Sequence, residues 1–326
     1  MLWNSQASVA GFPVEGLFTV YSRYRILLSR QAREGFVEEY VTRPRYTDAL
    51  RERAERPERF FKSSVSELRT RLPDRVRHPL AIIAWALDCF AEENGRASWA
   101  AFDLHPEFRF QHFRRHIPGV KLAVMVRDPR EAIAAALFWR GEPGSQRARD
   151  VRFKHCLIMY CLGIQTGRSL VRRWPDDVVI FDFNALTSGD AAERARICKC
   201  FGIADAAARK AYSISPHFSY VKGKGFLMAD GEHAMLLTPV ELAEISVLSP
   251  DGTNSDAPST VRQPFVAFAR FTLAVGRLTP MVARSIADLA YYPHRTVVRR
   301  INALRQLLAD LRRVQLTGAN VGEKVR

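Results

Sequence analysis

Arg127-Asp128-Pro129-Arg130 is the stretch of this chain where residue type and position together point to chemistry. It follows an unbroken apolar run, Val120 to Val126, and precedes Glu131 to Trp139, whose spacing predicts a helix. A strand feeding a helix in this way exposes unpaired amides at the helix's positive end, and a guanidinium beside them grips phosphate in two places. Arg127, at the strand's end, is the first candidate ligand and Arg130 the second. The same four residues also read as a plain helix cap, with Asp128 accepting from first-turn amides. Lys222-Gly223-Lys224-Gly225 is a second basic turn, in which glycines let amides and the ammoniums of Lys222 and Lys224 approach a phosphate. It is not a Walker loop, and an ordinary flexible loop has the same composition.

The elements that must position these turns follow an α/β pattern. Val120 to Val126 and Val178 to Phe183 are apolar enough to be parallel strands covered on both faces. Helices are predicted over Pro79 to Glu93, Glu107 to His116, Val151 to Arg173 and Ala191 to Phe201, with a short strand over Ser98 to Phe102 and another helix from about Thr238. Residues 1–70 read as a helical, arginine-rich lead-in. Residues 249–260 have linker chemistry, and beyond them Phe265 to Leu289 and Arg295 to Leu316 read as basic amphipathic helices broken at Tyr292-Pro293. The expected division is an α/β domain over 1–248, a linker over 249–260 and a basic helical extension over 261–326.

Composition bounds the partners. The chain has 326 residues, is 47% hydrophobic and 25% charged, and so has the make-up of a globular protein. Its net charge is +15, and residues 261–326 hold twelve basic and three acidic residues, or +9 of that total. Such a tail suits an anionic partner, an anionic membrane surface among them, and also suits a solvated or docked helix face. Arg270, Arg277 and Arg284 recur every seven residues, with Phe265, Phe268, Phe271, Leu273 and Val275 around them. Basic residues do not alternate with exposed aromatics in any nucleic-acid module, so no nucleic acid is expected. The five cysteines lack zinc-site spacing and read as buried thiols. No signal peptide is apparent and the longest early apolar run, Leu80 to Leu87, is too short to span a bilayer. A cytoplasmic protein, with peripheral membrane contact through the tail, is expected.

The order of Trp99 to Pro106, Phe113 to Pro118, Lys121 to Ala134, Val178 to Leu186 and Cys198 to Ile203 resembles the sulfotransferases that use 3'-phosphoadenosine-5'-phosphosulfate, over about residues 1–245. The resemblance implies a three-layer parallel sheet flanked by helices, the P-loop-like sulfotransferase fold. It also implies transfer of a sulfuryl group from that co-substrate to a hydroxyl or amine of a small-molecule or glycan acceptor, with no metal. Arg127 then holds the 3'-phosphate, Lys222 and Lys224 belong to the loop that closes over it, and Cys200-Phe201-Gly202-Ile203 matches the family's late Phe-Leu-Gly helix.

Several positions depart from the family. Ala135 stands where a phosphate-binding serine is common, and Asp103-Leu104-His105-Pro106 and Phe183-Asn184-Ala185-Leu186 keep the shape of family motifs without their charges. The family's opening strand and Gly-Thr-Thr loop, which cradle the 5'-phosphosulfate, have no counterpart, and Met1 to Phe12 resembles the helix after that loop. Either the start lies too far downstream or half of the co-substrate site is lost. In this register Glu15 falls near the family's general-base glutamate, ahead of His105, the competing base; each also reads as an ordinary surface or turn residue. The alternative to an enzyme is a non-catalytic protein of this fold that binds an anionic partner through its tail.

Overall fold

The computed structural model describes residues 8–12, 16, 18–22, 27–42, 60–138, 143–187, 190–203, 220–221, 225–226, 236–249, 261–298 and 301. These are mostly helical, with a few short strands. The order is β1 (Val9–Gly11), α1 (Phe18–Tyr21), α2 (Arg30–Thr42), α3 (Val65–Arg71), α4 (Pro79–Glu93), β2 (Ser98–Ala100), a 3-10 turn (Pro106–Arg109) and α5 (Phe110–His116). Then come β3 (Leu122–Val126), α6 (Pro129–Phe138), α7 (Gln146–Arg173), β4 (Val178–Asp182), α8 (Phe183–Thr187) and α9 (Ala191–Phe201). Last are β5 (Tyr220–Val221), β6 (Gly225–Phe226), α10 (Pro239–Leu248), α11 (Gln263–Leu278) and α12 (Pro280–Tyr291), followed by helical residues 293–298.

The strands pair two by two. β1 lies parallel to β2, β3 parallel to β4 in the register Leu122 to Val178 through Val126 to Asp182, and β5 antiparallel to β6. The predicted pairing of Val120–Val126 with Val178–Phe183 is therefore present. Cover on both faces is incomplete, because Leu122 and Val124 are buried while Met125 is 57% exposed. Among the described residues these pairs are separate sheets, and they do not join into a three-layer parallel sheet.

Residues 1–70 are not wholly helical. Val9 and Ala10 are buried in a strand that pairs with Ser98 and Trp99, and this corrects the expected helix over Met1 to Phe12. A three-residue strand carries almost no periodic signal of its own; its pairing partner lies far along the chain, so tertiary contact decides its form. Farther along, the single helix expected over Phe265 to Leu289 is two helices. Thr279 breaks α11, and Pro280 takes the first position of α12, where its missing N–H costs nothing.

Two apolar clusters meet on α7, whose 28 residues reach about 42 Å. Ten of the fifteen residues of α4 are buried, which is expected of a helix apolar around most of its surface. Together with β1, α1, α2, α5, β3 and β4 it forms the first cluster. The second joins α6, α7, α10, α11 and α12. The arginines hold structure as often as they meet solvent. Arg33 is buried and donates to the carbonyls of Pro73, Asp74 and Val76, which fixes the turn before α4. Gly202 ends α9 at φ 64°, a left-handed value that favours glycine.

Candidate functional site

The turn after β3 is built as the sequence suggested and is already neutralised by its own side chains. Asp128 Oδ1 accepts from the amides of Arg130 at 2.8 Å and Glu131 at 3.3 Å, so it caps α6. The same carboxylate takes Arg130, through Nε at 3.1 Å and Nη2 at 2.8 Å. The Arg130 guanidinium holds Asp128's carboxyl below the usual carboxylate range, and Asp128 raises Arg130 in return. Arg127 Nη2 donates to Glu131 Oε2 at 3.2 Å, and its guanidinium carbon lies 5.4 Å from the centre of the Phe183 ring. The Tyr160 hydroxyl donates to Arg127's carbonyl at 2.6 Å and ties the turn to α7. Both arginines are paired: Arg130 with Asp128 at a side-chain exposure of 58%, and Arg127 with the nearly buried Glu131 at 22%. Glu131 went unnoticed in the sequence, although its i,i+4 spacing from Arg127 is a readable signal.

His105 acquires a partner that its place in the sequence did not reveal. Its Nδ1 lies 3.1 Å from Oε1 of Glu107, whose side chain is 7% exposed. With Nδ1–H donated to that carboxylate, Nε2 keeps its lone pair, which is the arrangement of a base oriented by a buried acid. His105 has φ 53° and is the only non-glycine residue with positive φ among those described. Such a backbone costs roughly 1 kcal/mol or more and is held by its surroundings. Glu107 lies against Gly163 of α7, where a Cβ would stand 3.0 Å from Oε1 and press on the carboxylate of the dyad. The 3-10 turn carrying Glu107 packs against α1, α5, α7, α12 and β3.

The carboxyl ends of β1 and β2 lead to the remaining candidates. Phe12 N donates to Ala100 O at 2.7 Å and Gly16 N to Phe102 O at 2.9 Å, so the two chain segments stay linked beyond the strand ends. Asp103 Oδ2 then accepts the Thr19 amide of α1 at 2.8 Å. Glu15 lies outside the described residues, as do Lys222 and Lys224; β5 and β6 are the described segments on either side of the two lysines. The structure therefore brings Arg127 and Arg130 into one turn, places His105 beside Glu107, and does not bear on the other three.

Other chemistry is limited by burial. All five cysteines are free thiols, and burial pushes Cys89 up to about 11 and Cys156 and Cys161 each up to about 12, far from nucleophilic. An open cleft of about 400 Å³ is lined by Arg71, Trp85, Asp88, Glu92 and Arg96, and includes neither His105 nor Arg127. His78, His112 and His116 each bring one ring nitrogen within 4.8 Å of the others, a grouping that distance in sequence concealed. Their geometry is poor for a metal. His78 Nδ1 accepts the Leu80 amide as the cap of α4, which puts the proton of the neutral ring on Nε2. The ring lies flat on His116, with centroids 3.5 Å apart and 5° between planes, whereas imidazoles sharing one ion converge on it by their edges.

The histidine cluster is instead expected to make the joint between α4 and α5 sensitive to acid. Burial, helped by Arg115, lowers the pKa of His116. The unfolded chain then takes up this proton first, so the contribution is present above about pH 6.5 and is lost as pH falls through the lowered folded value. Urea unfolding at pH 7.5 and pH 5.5 is expected to show a loss of stability that shrinks in His116→Gln. An equal loss in both proteins would place the acid sensitivity elsewhere.

Comparisons with protein-family models, with curated proteins and with solved structures return no match.

Proposed function

We propose that this chain is a sulfotransferase-like protein that binds the 3'-phosphate of 3'-phosphoadenosine-5'-phosphosulfate, or of its desulfated product, at the Arg127 turn. The observation that carries the reading is the parallel β3–β4 pair, from which β3 runs directly into Arg127 and the start of the ten-residue helix α6. Ligands of α/β proteins gather at such carboxyl ends of parallel strands. His105 with Glu107 and the segment after β1 also follow strand ends, and they supply the base and the phosphosulfate side of the same reading.

In transfer, the acceptor's hydroxyl or amine attacks sulfur, His105 Nε2 takes its proton, and the S–O bond to the nucleotide's 5'-phosphate breaks. The products are the sulfated acceptor and 3'-phosphoadenosine-5'-phosphate. His105 is preferred over Glu15 because a buried carboxylate orients it. The family's opening Gly-Thr-Thr loop and its cation have no counterpart in the sequence, and residues 12–17 read Phe-Pro-Val-Glu-Gly-Leu with no basic residue. The only charge in that stretch is the carboxylate of Glu15, which offers an anion nothing. The reading is thus of a nucleotide binder with little transfer. The three-layer sheet of this proposal rests on the family resemblance, since among the described residues the strands pair only two by two.

Calorimetry with 3'-phosphoadenosine-5'-phosphate is the test. The wild-type chain should bind it, and Arg127→Ala should weaken binding by roughly tenfold to a hundredfold, the ~1.5–3 kcal/mol of one charge-assisted contact. Arg130→Ala should cost less, since Arg127 stands at the end of β3, directly before the first turn of α6. Equal affinities for wild type and Arg127→Ala would remove the phosphate role, and an absence of wild-type binding would remove the reading.

A further inference from the structure

We infer that the outer face of α11, α12 and residues 293–298 is a docking face for an anionic membrane surface. This goes beyond the nucleotide reading and involves none of its residues.

Both helices pack on α7 and turn their other side outward. Phe265, Val266, Ala269, Thr272 and Gly276 of α11 and Ala283 and Ala287 of α12 are buried. Contact is close: a Cβ on Gly276 would stand 2.5 Å from Leu162 Cδ2. Phe265 is thus absorbed by docking, and Phe268, Leu273 and Val275 pack partly buried against the same cluster, so of the five apolar residues that the sequence sets around the arginines only Phe271 is exposed. Arg284 is also diverted. It lies beyond the break at Thr279, with its guanidinium 5.3 Å from the centre of the Phe108 ring, and so leaves the seven-residue row with Arg270 and Arg277.

What remains outside keeps several large apolar side chains. Leu278 is 86% exposed and Phe271 58%, seven positions apart and hence on one face of α11. Val282 and Leu289 repeat that spacing on α12, and Val297 and Val298 follow. Most of the large hydrophobic side chains exposed among the described residues fall in this stretch. Arg270 and Arg277 border the Phe271–Leu278 row, one position behind each, and both are exposed. Residues 261–298 hold five arginines and one acid, Asp288, which lies 3.9 Å from Arg284 and 3.8 Å from His155.

Charge selects the occupant. A second copy docked face to face would bring the arginine rows together with little acid to separate them, and the chain's own residues 302–326 add five basic residues against two acidic. An anionic headgroup layer neutralises the arginines while their stems and the apolar row enter the boundary region. No helix among the described residues is long and apolar enough to cross a membrane, so the contact is one of helices lying in the surface plane.

Vesicle co-sedimentation of the full chain tests the inference, using phosphatidylcholine with and without phosphatidylglycerol. Binding is expected only with the anionic lipid and should fall with salt. The pair Arg270→Glu/Arg277→Glu and the pair Phe271→Ser/Leu278→Ser should each lower partitioning about tenfold or more. Arg75→Glu, on an exposed arginine in another part of the fold, should lower it far less, and unchanged far-UV circular dichroism should accompany each variant. Three results would overturn the inference: no sedimentation of wild type, equal loss in Arg75→Glu, or a dimer in sedimentation equilibrium that Phe271→Ser/Leu278→Ser dissolves.

Discussion

Arg149→Met is expected to destabilise the protein by about 3 kcal/mol at neutral pH, the cost of leaving a largely buried carboxylate without its cation. Arg149 donates to Glu241 through Nε at 2.9 Å and Nη2 at 2.8 Å, a two-point pair whose side chains are 20% and 8% exposed. It also donates to Leu236 O at 2.7 Å and lies against Phe138, and so joins α7, α6 and the start of α10. Glu241 also closes the capping box of α10, where its Oε2 accepts the Thr238 amide at 2.8 Å. Burial pushes Glu241's carboxyl up, but hydrogen bonds from Arg149 and Thr238 outweigh it and hold the group below its ordinary value. A lowered folded value means that the stabilisation is full above the ordinary carboxylate pKa and is lost as pH falls through the folded one. Chemical unfolding should therefore show a large gap between wild type and Arg149→Met at pH 7 that closes in strong acid. Arg149→Met/Glu241→Gln removes both charges and keeps a capping oxygen, so it should recover much of the loss. A double variant no better than Arg149→Met would show that the cost comes from packing.

Sulfuryl transfer by the wild-type chain is expected at background, and the physical reason is charge. The reaction has no demanding covalent step; it depends on preorganised cations and amides that meet the leaving phosphate and the oxygens on sulfur. Removing a single such donor from a site of this kind costs about a hundredfold to a thousandfold in rate. Here the segment between β1 and α1 has Val14 and Glu15 and no basic residue, and Asp103 accepts the Thr19 amide of the following helix. The measurement is transfer of labelled sulfate to sugar, phenol and peptide acceptors by wild type and by Val14→Lys/Glu15→Ser. The variant should bind 3'-phosphoadenosine-5'-phosphosulfate more tightly than wild type and transfer measurably faster. If Glu15 were the general base, the same change would abolish a wild-type activity. Robust wild-type turnover lost in the variant would thus overturn the charge argument and restore Glu15 to the catalytic role. His105→Gln and Glu107→Gln should leave binding intact in either case and slow any transfer that is found.

Sequence alone determined those elements whose signal lies within a few turns of the chain. Pro79, the apolar run after it and Asn94-Gly95 delimit α4, and the structure has it at Pro79–Glu93. Asp190 and Gly202 bound α9 in the same local way. The runs Val120–Val126 and Val178–Phe183 announced a parallel pair, and Asp128 followed by Pro129 announced a capped helix after an arginine. Each of these is a property of neighbouring residues, for which the backbone needs no distant partner.

Tertiary structure decided what depends on distant residues. Val9 to Gly11 form a strand only because Ser98 to Ala100 lie beside them, and Arg33 is buried only because the 73–76 carbonyls converge on it. Whether Arg270, Arg277 and Arg284 share a face rested on one turn at Thr279, which sends Arg284 toward Phe108. The candidate site divides in the same manner. Arg127 could be chosen from its place in the chain, but its pairing with Glu131 and the supply of a buried carboxylate to His105 required the 3-10 turn, α7 and Gly163 to assemble around them. A charge's reach is set by what is packed against it, and packing brings together residues whose spacing along the chain carries no trace of the contact.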